Sequence, residues 1–280
     1  MSVAIITDST SYISEQTRAE LSIHMIPLSV VFGDEVYQEE IDITTAEFYP
    51  KVKSAAQLPK TSQPSIGLVT ESIENLAKDY DEAIFITLSS GISGTYQTAV
   101  TVKGMVEDID VYPYDSEISC MAQGFYVLEA ARLAKAGENA STILARLDVM
   151  KESLRAYFMV ADLSHLHRGG RLNGAQALIG SMLQVKPILH FENKLIVPFE
   201  KIRTEKKALK RIFQLFDEDA STGVQIEASI IHANREEDAI QIKKELEEKY
   251  PNVTITVSYF GPVIGTHLGE GALGLGWYKK

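Results

Sequence analysis

At 280 residues and 31.0 kDa the chain has room for two domains or one large one, and its 45% hydrophobic and 23% charged residues fit a globular protein, excluding disordered, collagenous or coiled-coil classes. A net charge of −11 and a pI of about 5.1 set up a field that repels nucleic acid and anionic membrane surfaces. The single cysteine, Cys120, excludes an intrachain disulfide and a cysteine-rich metal site.

No basic, apolar leader opens the sequence, and no run approaches the roughly 18 apolar residues of a membrane span, so a reducing cytoplasm is the expected setting. The first half alternates two patterns. Strand-like runs cover residues 2–7, 25–32, 82–88 and 109–114, and helical periodicity covers 14–21, 45–54, 66–80, 95–107, 117–136 and 142–154. This order predicts an α/β lobe over residues 1–160, a parallel sheet with helices on both faces. Ser116 and Ser141 read as the caps of the last two helices.

A strand at 157–161 leads into a basic, glycine-rich stretch at 163–174, after which strands dominate. Residues 187–192 and 194–199 flank Glu192-Asn193 as a hairpin, a helix follows at 204–216, and strands at 224–232 and 253–259 bracket a charged helix at 235–249. The second lobe, 161–280, therefore reads as α+β with a mixed or antiparallel sheet. A cleft between two such lobes is a usual place for a small ligand.

Three hydroxyl-rich segments stand at expected strand ends: Asp8-Ser9-Thr10, Thr61-Ser62-Gln63-Pro64-Ser65 and Ser89-Ser90-Gly91-Ile92-Ser93-Gly94-Thr95. Free backbone N–H groups and hydroxyls at a helix start suit a phosphate or carboxylate, and loops at the carboxyl ends of neighbouring strands converge on one crevice. Each segment taken alone also reads as a plain helix cap. None carries Lys or Arg, so hydrogen bonding to a carboxylate fits better than countercharge for a triphosphate, and no Gly-Lys-Ser/Thr follows to make a P-loop.

His267 lies beyond the last strand read from the pattern, in Gly265-Thr266-His267-Leu268-Gly269-Glu270-Gly271, as a hydrogen-bond donor to an anion or a surface histidine. Gly269, Gly271 and Gly274 match G-x-G-x-x-G, but too little chain follows for a crossover helix and a ribose-binding acid. Arg168-Gly169-Gly170-Arg171 is a compact basic element in an acidic chain, suited to an interface with an anionic partner. The nearby His165 and His167 have no third ligand in sequence, and no metal site is assigned. Ser93, Asp115 and His267 follow the chain order of an α/β-hydrolase triad, although Thr95 stands where the nucleophile elbow needs glycine. A serine esterase is thus the alternative to a binding protein.

Taken together, Thr7-Asp8-Ser9-Thr10, Thr61 to Ser65, Ser89 to Tyr96, Asp115-Ser116, Arg168-Gly169-Gly170-Arg171-Leu172, Lys186-Pro187-Ile188 and Gly265-Thr266-His267-Leu268-Gly269 resemble the DegV family, in the family's order and over nearly the whole chain. The resemblance implies two α/β lobes holding one long-chain fatty acid, such as palmitate or oleate, in an apolar tunnel, with no catalysis and no cofactor. For members that serve as the fatty-acid-binding subunit of bacterial fatty acid kinase, it implies presentation of the acid to a separate ATP-using kinase that makes acyl phosphate, feeding phospholipid synthesis. By motif, Thr61 and Ser93 would bind the carboxylate, with Ser62, the Gly94 N–H and His267 nearby. Arg168, Arg171 and Arg203 would lie near the opening where a kinase docks. Glu270 stands where the family often has proline; its carboxylate either raises the pKa of His267 or faces solvent.

Overall fold

The computed structural model describes residues 2–172 and 185–280, so Asn173 and Gly174 of the basic stretch lie outside it. In chain order, β1 (Val3–Asp8) passes through a 3-10 turn (Ser9–Ser11) to α1 (Glu15–Leu21), β2 (Ile23–Ile26), β3 (Ser29–Phe32), β4 (Glu35–Gln38) and α2 (Thr45–Ser54). Then come β5 (Lys60–Ser62), α3 (Ile66–Leu76), β6 (Glu82–Thr87), α4 (Thr95–Lys103), β7 (Asp110–Asp115), α5 (Cys120–Lys135) and α6 (Ala140–Ser153). The rest is β8 (Arg155–Met159), α7 (Ser164–Arg168), β9 (Ile188–Glu192), β10 (Leu195–Glu200), α8 (Glu205–Ala220), β11 (Ile226–His232), α9 (Glu236–Lys249), β12 (Val253–Tyr259), α10 (Pro262–Leu268) and β13 (Leu273–Lys279).

As the alternation predicts, the first sheet, β2-β1-β6-β7, is all parallel. Its central strands, β1 and β6, are buried on both faces: Ile5, Ile84 and Ile86 pack on the side of α5, while Ala4, Ile6 and Phe85 meet Val69 and Ile73 of α3 and Ala99 and Val102 of α4. The second sheet, β10-β9-β8-β13-β11-β12, is mixed, with only β11 and β12 parallel. β8, which precedes residue 160, is hydrogen-bonded into this second sheet. Leu275 and Trp277 of β13 face α8 and α9, where Ile212, Phe216 and Leu246 complete a separate core.

α5 packs against strands of both sheets. That double contact explains why eleven of its 16 residues are buried, Phe125, Tyr126 and Val127 among them: a helix with a sheet on either side has little polar face to present.

Several local expectations are revised. The run at 25–32 divides into β2 and β3 because Pro27 has no N–H to continue a ladder, and β3 joins a small antiparallel sheet, β4-β3-β5. Ser116 does not cap α5: its hydroxyl bonds to Ile118, and Ser119 holds the cap position. Asn139, not Ser141, caps α6, accepting from Thr142 N. His267 is not in a loop past the last strand but on α10, and β13 follows it into the middle of the second sheet.

Candidate functional site

Between the two sheets lies a cavity of about 390 Å³. Its walls are chiefly apolar, with Phe158, Phe191 and Ile231 from the second sheet, Ile118 before α5, and Val263 and Ile264 on α10. Polar atoms gather where the 61–63 segment, the 88–94 loop and α10 meet: Thr61, Ser62, Gln63, Ser93, Gly94, Arg171 and His267 all line the cavity.

Thr61 and His267 are brought into contact across 206 residues, Thr61 Oγ1 to His267 Nε2 2.9 Å. β5 places Thr61 beside Val30 in the small sheet, and α10 presents His267 opposite it. The imidazole is lowered to about 4, first by burial and then by the positive charge of Arg171 and the neighbouring His165, so it is neutral at physiological pH. Its Nδ1, packed against Gly169, has no hydrogen-bond partner among the described residues.

Ser93 Oγ is 2.9 Å from Thr95 Oγ1 and accepts from Thr95 N at 3.3 Å, which turns the loop into α4. The Gly94 N–H has no partner among the described residues. A Cβ at Gly94 would fall 1.9 Å from Gln63 Oε1, so the glycine lets the 61–65 and 89–95 segments close together. Gln63 is fixed in turn by its amide donating to Thr98 Oγ1 at 2.8 Å. Gln63 lies within Thr61–Ser65, yet nothing in its local sequence marks it as a lining residue.

Of the three hydroxyl-rich segments, two reach the cavity. Asp8-Ser9-Thr10 does not: Asp8 is wholly buried, accepting from Thr10 N, Thr10 Oγ1 and Leu88 N, and thereby ties the end of β1 to the end of β6. Ser9 donates to buried Glu39, whose other oxygen accepts from Tyr12 OH at 3.0 Å and Val263 N at 2.7 Å at the start of α10. Burial pushes the Glu39 carboxyl up to about 8 against the effect of these donors.

The arginines separate. Arg171 lines the cavity, its guanidinium donating to Ile92 O at 3.1 Å and Gly169 O at 2.6 Å, and it is the one permanently charged side chain among the described lining residues. Arg168 is exposed and folds back on Ser164, and Arg203 is exposed in the connection between β10 and α8. Glu270 does not touch His267: Lys53 lies 2.8 Å away and Asn234 donates to it at 2.6 Å, holding its carboxyl below the usual range.

The hydrolase triad is not assembled. Asp115 pairs with Lys194 at 2.9 Å and accepts from Ser90 N and Glu117 N, and no hydrogen bond joins it to His267, or His267 to Ser93, among the described residues. Catalysis by Ser93 would need His267 within proton-transfer reach, whereas its Nε2 is engaged by Thr61. No helix among the described residues is long and apolar enough to cross a membrane.

Comparison with known proteins agrees with the resemblance read from the motifs. A family model described as "Uncharacterised protein, DegV family COG1307" matches residues 2–280. Protein DegV of Bacillus subtilis is 59% identical over 281 residues, covering all of both chains, and a DegV domain-containing protein of Halalkalibacterium halodurans is 53% identical over 277 residues, covering 99% of this chain and 98% of the relative. The crystal structure of DegV, a fatty acid binding protein from Bacillus subtilis, superposes with a TM-score of 0.96 at 59% identity, and that of a fatty-acid-binding DegV family protein from Thermus thermophilus with 0.93 at 29%, each covering 100% of both chains. With the motifs, the two-sheet architecture and full-length similarity in agreement, the chain belongs to the DegV family.

Proposed function

We propose that this protein binds one long-chain fatty acid, its tail in the apolar cavity and its carboxylate at Thr61, Ser62, Ser93, Gly94 and His267. In this reading the acid lies between an N-terminal lobe (1–160) and a C-terminal lobe (161–280), with β8 of the first span contributing its residues to the second sheet. The observation that carries it is the cavity itself: one end gathers hydroxyls, an unpaired N–H and a guanidinium, no carboxylate lines it among the described residues, and the remaining walls are apolar. Relatives whose structures are those of fatty-acid-binding proteins support it.

The energetics suit such a ligand. Burying about a dozen methylenes at about 0.8 kcal/mol each contributes on the order of 10 kcal/mol before association costs, so the tail supplies the affinity. The head group then selects. A carboxylate taken from water without partners costs several kcal/mol, which the converging donors offset and an ester or alcohol does not exploit. With Nδ1 bare, the arrangement that leaves the least unmet is a lone pair on Nδ1 and Nε2–H donating to Thr61 Oγ1. Thr61 then has its own proton free for the ligand. Arg171, assigned from sequence to a partner surface, adds positive charge inside the cavity.

The task on this reading is transport, or presentation of the acid to an ATP-dependent fatty acid kinase that forms acyl phosphate, with Arg168 and Arg203 at the surface such a partner would meet. The protein contributes orientation of the carboxylate and exclusion of water, and the phosphoryl chemistry belongs to the partner. Native mass spectrometry of the purified protein should show one long-chain acid per chain, and delipidated protein should take up palmitate or oleate. Absence of bound acid together with failure to take it up would end the proposal.

A further inference from the structure

Two glycines in β13, Gly274 and Gly276, have no backbone reason to be glycine. Neither has a left-handed φ, and both sit in regular ladder pairing, Gly276 opposite Ala156 of β8 and Ser229 of β11. Glycine in a strand interior weakens the strand, since it orders more backbone and packs nothing. At Gly274 a Cβ would lie 3.0 Å from Phe158 Cβ, so close packing accounts for that residue. At Gly276 a Cβ would meet Ala122 Cβ at 3.4 Å, Arg155 O at 3.6 Å and Ala156 Cβ at 3.7 Å, all ordinary contacts. A methyl group fits there without strain. What glycine supplies at 276 is the volume it leaves empty, and Gly276, Ala122 and Ala156 all line the cavity.

The direction of β13 gives that volume a meaning. Residues 274, 276 and 278 share one face of the strand, the face turned toward α5, while Leu273, Leu275 and Trp277 belong to the opposite core. The strand starts near α10, which carries His267, and runs away from it. Two residues beyond Gly276, about 7 Å along the strand, Tyr278 fills the same face: it is 1% exposed, its ring centroid lies 5.2 Å from that of Phe125, and its hydroxyl donates to Glu227 at 2.9 Å. Tyr278 does not line the cavity, whereas Gly276 does.

We infer that Gly276 sets acyl-chain length: it is the last open position on the β13 wall before Tyr278 and Phe125 close it, and the terminal methylenes of a bound acid lie over it. The inference deepens the fatty-acid reading and rests on it.

The test is a competition titration of delipidated wild type, Gly276→Ala and Gly276→Val with saturated acids from dodecanoate to octadecanoate. Gly276→Val should bind dodecanoate within about twofold of wild type and lose about fourfold for each methylene left without room, moving the preferred acid to a shorter chain. Gly276→Ala, whose methyl meets only ordinary contacts, should show a smaller shift in the same direction. Uniform weakening at every length, or an unchanged length profile in both variants, overturns the assignment of Gly276 while leaving the fatty-acid reading intact. Wild-type protein that binds no acid of any length overturns both.

Discussion

Lys194, in the β9–β10 turn, reaches Asp115 at the end of β7 with Nζ 2.9 Å from Oδ2, and its backbone carbonyl accepts from Ser89 Oγ at 2.7 Å. The turn is formed by Asn193 and Lys194, both at positive φ, and it seats against Gly91, where a Cβ would fall 2.3 Å from Lys194 O. A hairpin of the second sheet is thereby fastened to the loop that bears Ser93 and Gly94. Phe191 and Ile196 on that hairpin line the cavity, so the fastening also holds one of its walls. Lys194 is 42% exposed, which limits the ion pair to about 0–1 kcal/mol. Lys194→Met should accelerate release of a fluorescent fatty acid about twofold to fivefold in stopped-flow displacement with little change in melting temperature. An unchanged release rate would show that the hairpin does not control exit.

Thr61 and Ser93 are the hydroxyls assigned to the carboxylate. Thr61→Ala and Ser93→Ala should each weaken fatty acid binding by about 1–3 kcal/mol, since each removes a donor to a buried charge. Isothermal titration with palmitate reads this directly, and equal affinity in wild type and both variants would remove the head-group site from this end of the cavity.

His267 carries a pH signature. Its folded-state pKa is lowered, to about 4 from 6.5, by burial first and then by Arg171 and His165, so the unfolded chain takes up the proton first as pH falls. The neutral imidazole contributes stability that is fully present above pH 6.5 and lost as pH drops toward 4, at most about 3 kcal/mol for a shift of that size. Urea midpoints of ligand-free wild type between pH 7 and 4 should fall more steeply than those of His267→Gln. Parallel slopes would count against a neutral His267.

Glu39 works in the opposite direction. Burial raises its carboxyl from 4.5 to about 8, so the protonated form is the stable one in the fold; that contribution is complete below pH 4.5 and is lost as pH rises through about 8. Glu39→Gln, which keeps an acceptor for Val263 N and Tyr12 OH, should melt at a higher temperature than wild type at pH 9 and close to it at pH 5. A variant less stable than wild type at pH 9 would show that the three donors outweigh desolvation and that Glu39 is ionised in the fold.

Much of the fold was legible because its cues are local. α2 begins and ends where its pattern does, since Thr44 and Glu47 form a capping box, and the hairpin forms where its two strand-like runs meet, although its turn is Asn193-Lys194 and Glu192 stays in the ladder opposite Leu195. α10 and β13 were not read. Gly261, Gly265, Gly269 and Gly271 break the helical cues around α10, and the alternation Leu273-Gly274-Leu275-Gly276 lowers strand propensity where the cavity requires space. At the site, residue types pointed to an anion, but not to which loop reaches it. Asp8-Ser9-Thr10 and Thr61-Ser62 look alike in sequence; the first turns inward because Leu88 N and Gln123 offer buried partners, and the second lies beside α10. The direction of Arg171 likewise depends on Ile92, 79 residues away, a contact that no local pattern encodes.

β13 is the final strand of the chain and yet lies inside the second sheet, hydrogen-bonded to β8 on one side and β11 on the other. The helix bearing His267 precedes it directly, α10 passing to β13 through residues 269–272. A short covalent link thus joins the polar end of the cavity to one of its walls, so a shift of α10 is passed to β13 through backbone as well as through packing.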